Sequence, residues 1–407
     1  MQFPSNPQEK LPSISYFGTV CVLLFLLFSL IRQVLIPFGD EPDFVVRASK
    51  LLNEENLWWT PYYLFDGLLN NINVVSNCEV SGSPFALWAT VETSSCLQSI
   101  EQVMLRYVLT VFVTLPLLLI VVFRRIFIYG MRVIGSKMSN QTWMHRLDAL
   151  SLALMSPGLV YYLNVLSVEQ FVFVLSLMVF VFWQLWLPLI AIIVMAGTQD
   201  LGNSTVVLAF IVTAQVAFII QKKVGYLLTI MALCALVILG YIVGTFLLQY
   251  VAYIPILTAK AEDITELVNN KGYTEKYPII LRPIITFMAY NIFTPSYIKI
   301  IPLYLLTGTS LIVAFFRLNK FYNWGKVNME RHYFFKLKID MIFAIAGISI
   351  IFFMNFLMPN YNNAKYYIFM MPFFISALLW VFNKKNIRSF FILSHLILYI
   401  NLALFNL

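Results

Sequence analysis

Residues 227–248 read LLTIMALCALVILGYIVGTFLL, twenty-two positions without one charged side chain. The run is continuous rather than alternating. It suits a helix crossing hydrocarbon, which needs about 20 apolar residues at ~1.5 Å each, and not the in-and-out alternation of a barrel strand. Val111–Phe123 has the same character. Outward from these runs the whole chain of 407 residues follows suit: 60% of it is hydrophobic and 11% charged, with a mean hydropathy of +0.82. A soluble domain carries roughly 25% charged residues, which excludes a soluble globule. In lipid only helices or a closed barrel satisfy the backbone, so the composition predicts an all-α polytopic membrane protein, one integral membrane domain over 1–407.

The expected spans, about eleven, are 14–37, 103–123, 148–164, 168–186, 188–199, 204–220, 224–248, 299–316, 339–357, 366–382 and 389–405. The segment 188–199 is short for a crossing and is expected to pair with 204–220 as a short or re-entrant hairpin near 188–220. Polar Met1–Ser13 leads into the first span without a small-residue cleavage site, so that span is read as uncleaved.

The formal net charge of +8 does not point to nucleic acid, because its distribution marks orientation instead. Sixteen basic residues fall in inter-span loops: Arg124, Arg125, Arg132, Lys137, Arg146, Lys222, Lys223, Arg317, Lys320, Lys326, Arg331, Lys336, Lys338, Lys384, Lys385 and Arg388. These loops add only Glu330 as an acid. With the N-terminus inside, every one of them lies on the cytoplasmic side. Two long segments then face outward, 38–102 and 250–298. The second holds a short amphipathic stretch, Ala259–Asn270.

The first outer segment opens with Phe38-Gly-Asp-Glu-Pro-Asp-Phe44, three carboxylates (Asp40, Glu41, Asp43) at the mouth of the first span. Carboxylates are expensive inside a bilayer, so this cluster marks the interface and a candidate site. Residues 43–56 follow with Phe44, Val45, Ala48, Leu51 and Leu52 on one helical face, the pattern of a helix lying along the membrane surface. An aspartate held at that depth has the chemistry of a general base toward a sugar hydroxyl. On spacing alone Asp40 reads equally as a turn residue before Pro42.

Other candidates are weaker. Cys78 and Cys96, on the oxidising face, invite a disulfide worth ~3 kcal/mol, with two free thiols as the alternative; Cys21 and Cys234 fall within spans and are read as inert. Trp58 and Trp59 suit sugar stacking as well as an interfacial belt. Asp200 suits a sugar or ion contact but more simply ends a helix beside Gly202. His145, His332 and His395 are scattered, which gives no histidine metal site. The cytoplasmic loops contain no glycine-rich phosphate loop, which disfavours a nucleotide-sugar donor. No cofactor is implied, and a divalent metal is left open.

The span, the Asp40-Glu41 pair and the following surface helix together resemble the start of the GT-C superfamily of membrane glycosyltransferases. That resemblance implies a polyprenyl-phosphate-linked sugar donor, with Asp40 as base and Glu41 as its companion. Ser156-Pro-Gly-Leu-Val-Tyr-Tyr followed by Ser167-Val-Glu-Gln-Phe resembles the family's outer hairpin, with Glu169 as the cavity-facing acid. Pro359-Asn-Tyr-Asn-Asn-Ala-Lys-Tyr-Tyr-Ile-Phe-Met-Met-Pro resembles its C-terminal pattern of a cation and a Tyr before an apolar span. Here Lys365 stands before Tyr366 where the family usually has Arg, a point charge in place of a fork.

The resemblance implies a donor phosphate site of Lys365 and Tyr366, with Arg282, Lys299 and Lys276 as further cations, and a sugar or acceptor site drawn from Glu169, Asp43, Trp58, Trp59 and Tyr361. The expected activity is transfer of one hexose-like sugar to a glycan or lipid-linked acceptor, with membrane lipids as the other partners. The expected place is a bacterial inner membrane with the site on the periplasmic face, or an ER membrane with a lumenal site. The rival readings are a polysaccharide repeat-unit polymerase or ligase and a lipid-linked glycan flippase. The first should carry outer-loop arginines, the second mid-span charges or internal repeats.

Overall fold

The computed structural model describes residues 14–35, 100–164, 168–183, 185–199, 201–224, 339–357 and 368–406, with shorter pieces between 228 and 246, 276 and 287, and 305 and 317. Among the described residues there is no strand. The helices are α1 (Tyr16–Leu35), α2 (Ile100–Val122), α3 (Arg124–Val133), α4 (Asn140–Ala153), α5 (Pro157–Leu163), α6 (Val168–Phe182), α7 (Trp186–Gln199), α8 (Leu201–Val224), α9 (Ile339–Leu357), α10 (Met371–Val381), entered through a 3-10 turn at Ile368–Met370, and α11 (Lys384–Asn406). The all-α class is as expected. Among these residues no single helix is both long and apolar enough to cross a membrane on its own. The pair Thr110–Val122 and Arg124–Val133 meets the length and composition together but is bent by 91°.

Local chemistry explains the breaks. Ser139 caps α4 by accepting from the Thr142 N–H at 3.2 Å. The expected span 148–164 is in fact two helices, and the first starts eight residues early, at Asn140. Pro157 has no N–H and forces Ser156 to an extended conformation, so the chain tightens through Met155 and Ser156 and restarts with Pro157 as the first residue of α5. The Met155 carbonyl, left outside the helical ladder, accepts from His395 Nε2 of α11 at 2.7 Å. Residues 124–133, read as a loop, form α3. It ends in a Schellman turn: Gly135 at φ 97° donates to Arg132 O at 3.0 Å, and Ser136 donates to Met131 O at 2.9 Å.

Packing is close where side chains are small. A Cβ on Gly18 would sit 2.2 Å from the Val121 carbonyl oxygen, so α1 and α2 touch backbone to backbone. A Cβ on Gly347 would meet Phe373 Cβ at 2.7 Å, seating α9 against α10. Trp183 stacks on Phe343 at 3.9 Å between centroids, and Phe210 meets Phe373 at 4.6 Å edge-on, so aromatic rings join α6, α8, α9 and α10. Helices α7 and α8 pack against each other.

Candidate functional site

Two groups of buried polar side chains stand out among the described residues. In the first, α2 stops at Val122 and Arg124 turns inward. Its Nη1 donates to Asp148 Oδ1 of α4 at 2.5 Å, its Nη2 to Ser151 Oγ, and its Nε to Val121 O at 3.1 Å. Lys384, the first residue of α11, reaches the other oxygen of Asp148 at 3.4 Å, and both cations lie over the Phe17 ring. Two residues before Asp148, Arg146 is buried between Trp143 and Trp183. There it pairs with Asp340 of α9 at 2.5 Å and donates to Val181 O at 3.4 Å. His145 stacks on Trp380 with its Nε2 3.0 Å from Ser376 Oγ and 3.1 Å from Ser376 O. Burial holds the His145 imidazole below its ordinary pKa, opposed by the Ser376 carbonyl and by Asp340 and Asp148.

This cluster corrects the loop placement of two basic residues: Arg124 and Arg146 lie in helices and are buried bridges, with Asp148 and Asp340 as their counter-ions. The partners are 24 and 194 positions apart. The available signal was two lone aspartates at the ends of apolar runs that face the basic loops.

At the opposite end the buried groups are neutral. Ser29 Oγ of α1 donates to Asn164 Oδ1, at the C-terminus of α5, and Asn164 Nδ2 donates to Val160 O at 2.6 Å. Gln170 in the first turn of α6 donates to Leu163 O at 2.5 Å and to Thr110 Oγ1 of α2 at 3.1 Å. All four side chains are buried. They tie the C-terminal half of α1 and the middle of α2 to the end of α5 and the start of α6. Sequence reasoning missed them, although each is a polar residue inside an apolar run, the usual mark of interhelical hydrogen bonding.

Of the expected site residues, Glu169 lies in this neutral end, in the first turn of α6 beside Gln170. Arg282 is half-buried in the piece 281–287. Its Nε donates to the Tyr277 carbonyl at 2.9 Å, and nearby Phe287 packs on Phe374 of α10 at 4.9 Å. That geometry gives Arg282 a role in holding its own turn. Asp40, Glu41, Asp43, Trp58, Trp59, Cys78, Cys96, Lys299, Tyr361, Lys365 and Tyr366 lie outside the described residues. Among the described residues no three His, Cys, Asp or Glu side chains converge as a metal site requires. No protein-family model matches the chain, and neither does any curated protein or solved structure.

Proposed function

We propose that the chain is a polytopic membrane glycosyltransferase of GT-C type with about eleven spans. In this reading it transfers a sugar from a polyprenyl-phosphate donor to an extracytoplasmic glycan or lipid-linked acceptor, with Asp40 as general base. The observation that carries this reading is the opposition of the two ends. The ion pairs and exposed Lys384 and Lys385 gather where α2 ends and α11 begins. The end of α1 and the first turn of α6, with Glu169, gather at the other. Asp40 follows the last residue of α1 by five positions, at most about 18 Å of extended chain. In this reading Asp40 joins Glu169 at the end opposite the basic loops, as an outward-facing site needs.

The exterior supports the membrane part. Leu23, Leu27 and Leu30 of α1, Phe112, Leu115 and Leu119 of α2, and Leu208, Val212, Val216 and Ile219 of α8 are exposed stripes of large apolar side chains. Arg124, Arg146, Asn164 and Gln170 are turned inward. Water would penalise such an arrangement, and lipid favours it.

In this mechanism Asp40 takes the proton of the acceptor hydroxyl as the bond to the sugar forms. Lys365 offsets the charge that stays on the departing lipid phosphate. The test is to incubate the purified protein with a panel of polyprenyl-phosphate sugars and assay released polyprenyl phosphate. Release with one donor is expected; movement of labelled lipid across proteoliposomes without release would replace this reading with a flippase.

A further inference from the structure

Helix α3 has three distinct faces. At ~100° per residue, Arg124, Ile128 and Met131 share the side buried against the bundle, where Phe127 also meets Trp143 edge-on at 5.4 Å. Ile126, Tyr129 and Val133 share the opposite side, with Tyr129 66% and Val133 71% exposed. Arg125 and Arg132 share a third, exposed edge, where Arg132 also donates to Asn140 Oδ1. The helix leaves α2 at 91° and is stopped by the Gly135 turn, so its direction is set from both ends.

We propose that α3 is a strap lying in the lipid–water interface at the basic end of the bundle, its apolar face in the leaflet and Arg125 and Arg132 bound to anionic lipid headgroups. The inference rests on the membrane reading above. Three features choose lipid as the occupant. The apolar patch is too exposed for water and faces away from the bundle. It continues the exposed stripe of α2 through Leu115 and Leu119, beyond a perpendicular turn that lays a surface helix flat. The basic edge, with Lys137, Lys384 and Lys385 at the same end, complements a negatively charged leaflet.

The experiment uses the full chain in nanodiscs of phosphatidylcholine, with and without phosphatidylglycerol. A bimane probe is placed at Tyr129→Cys after the native cysteines are changed to alanine. Quenching by lipids spin-labelled near the headgroup, together with shielding from aqueous iodide, is expected. On the chain with its native cysteines, native mass spectrometry should show several-fold less retained phosphatidylglycerol for the Arg125→Gln, Arg132→Gln variant. Free quenching by iodide, or unchanged lipid retention in that variant, would overturn the strap while leaving the membrane reading intact. A chain stripped from membranes by alkaline carbonate would overturn both.

Discussion

The charged end and the neutral end of the bundle do the same job with different chemistry, joining helices through buried polar groups. At the charged end Arg124–Asp148–Lys384 and Arg146–Asp340 connect α3, α4, α9 and α11. At the neutral end Ser29, Asn164, Gln170 and Thr110 connect α1, α2, α5 and α6 without a charge among them. Removing one member of a buried ion pair strands a charge, whereas removing one member of a neutral pair strands a dipole. The densest described charge is therefore scaffold.

The contrast can be broken most sharply at Arg146. Asp340→Leu should destabilise the fold by about 3 kcal/mol, the low end of the range for a stranded buried charge because Asp340 retains 22% exposure. Adding Arg146→Met should restore most of that loss; unfolding in graded SDS reports both. If the double variant stays as unstable as the single, the pair is not what Asp340 contributes. Next in size is Gly18→Ala, which drives a methyl into the Val121 carbonyl and should cost ~1–3 kcal/mol in the same assay. At the neutral end Gln170→Leu should cost only ~1 kcal/mol. A loss equal to that of Asp340→Leu would erase the distinction between the ends.

The smallest effect is on pH. The folded His145 sits below its ordinary pKa of 6.5, so the unfolded chain takes up a proton first as the solution is acidified. Stability should be full above about pH 6.5 and decline from there toward the lower folded value. His145→Gln should flatten that slope, read from unfolding midpoints across the range.

How far the chain could be read depended on the reach of each signal. Helix α9 was legible to its boundaries, 339–357, because Lys338 and the Met358-Pro359 step frame a run whose one charged residue is Asp340. Helix α3 and the first half of α4 were not, because Arg125, Arg132, Gln141 and His145 give them the composition of a loop. Their helicity comes from burying Ile128, Met131, Trp143 and Leu147 against other helices, which no local window contains. The same holds for Arg146 and Asp340, partners only in three dimensions. Of the candidate site, Glu169 comes from the resemblance and falls in the first turn of α6, while the hydrogen bonds of Ser29 and Gln170 join residues too far apart in the chain for a local pattern to pair them. Asp40 rests on the resemblance and on its distance along the chain from α1.

The most direct test of the account is turnover by Asp40→Asn in the purified, reconstituted protein, with donor binding measured alongside. The account predicts that polyprenyl phosphate release falls to background while the folded chain still binds the donor lipid. Release at the native rate would contradict it, removing Asp40 as the base and the neutral end as the place where the chemistry occurs.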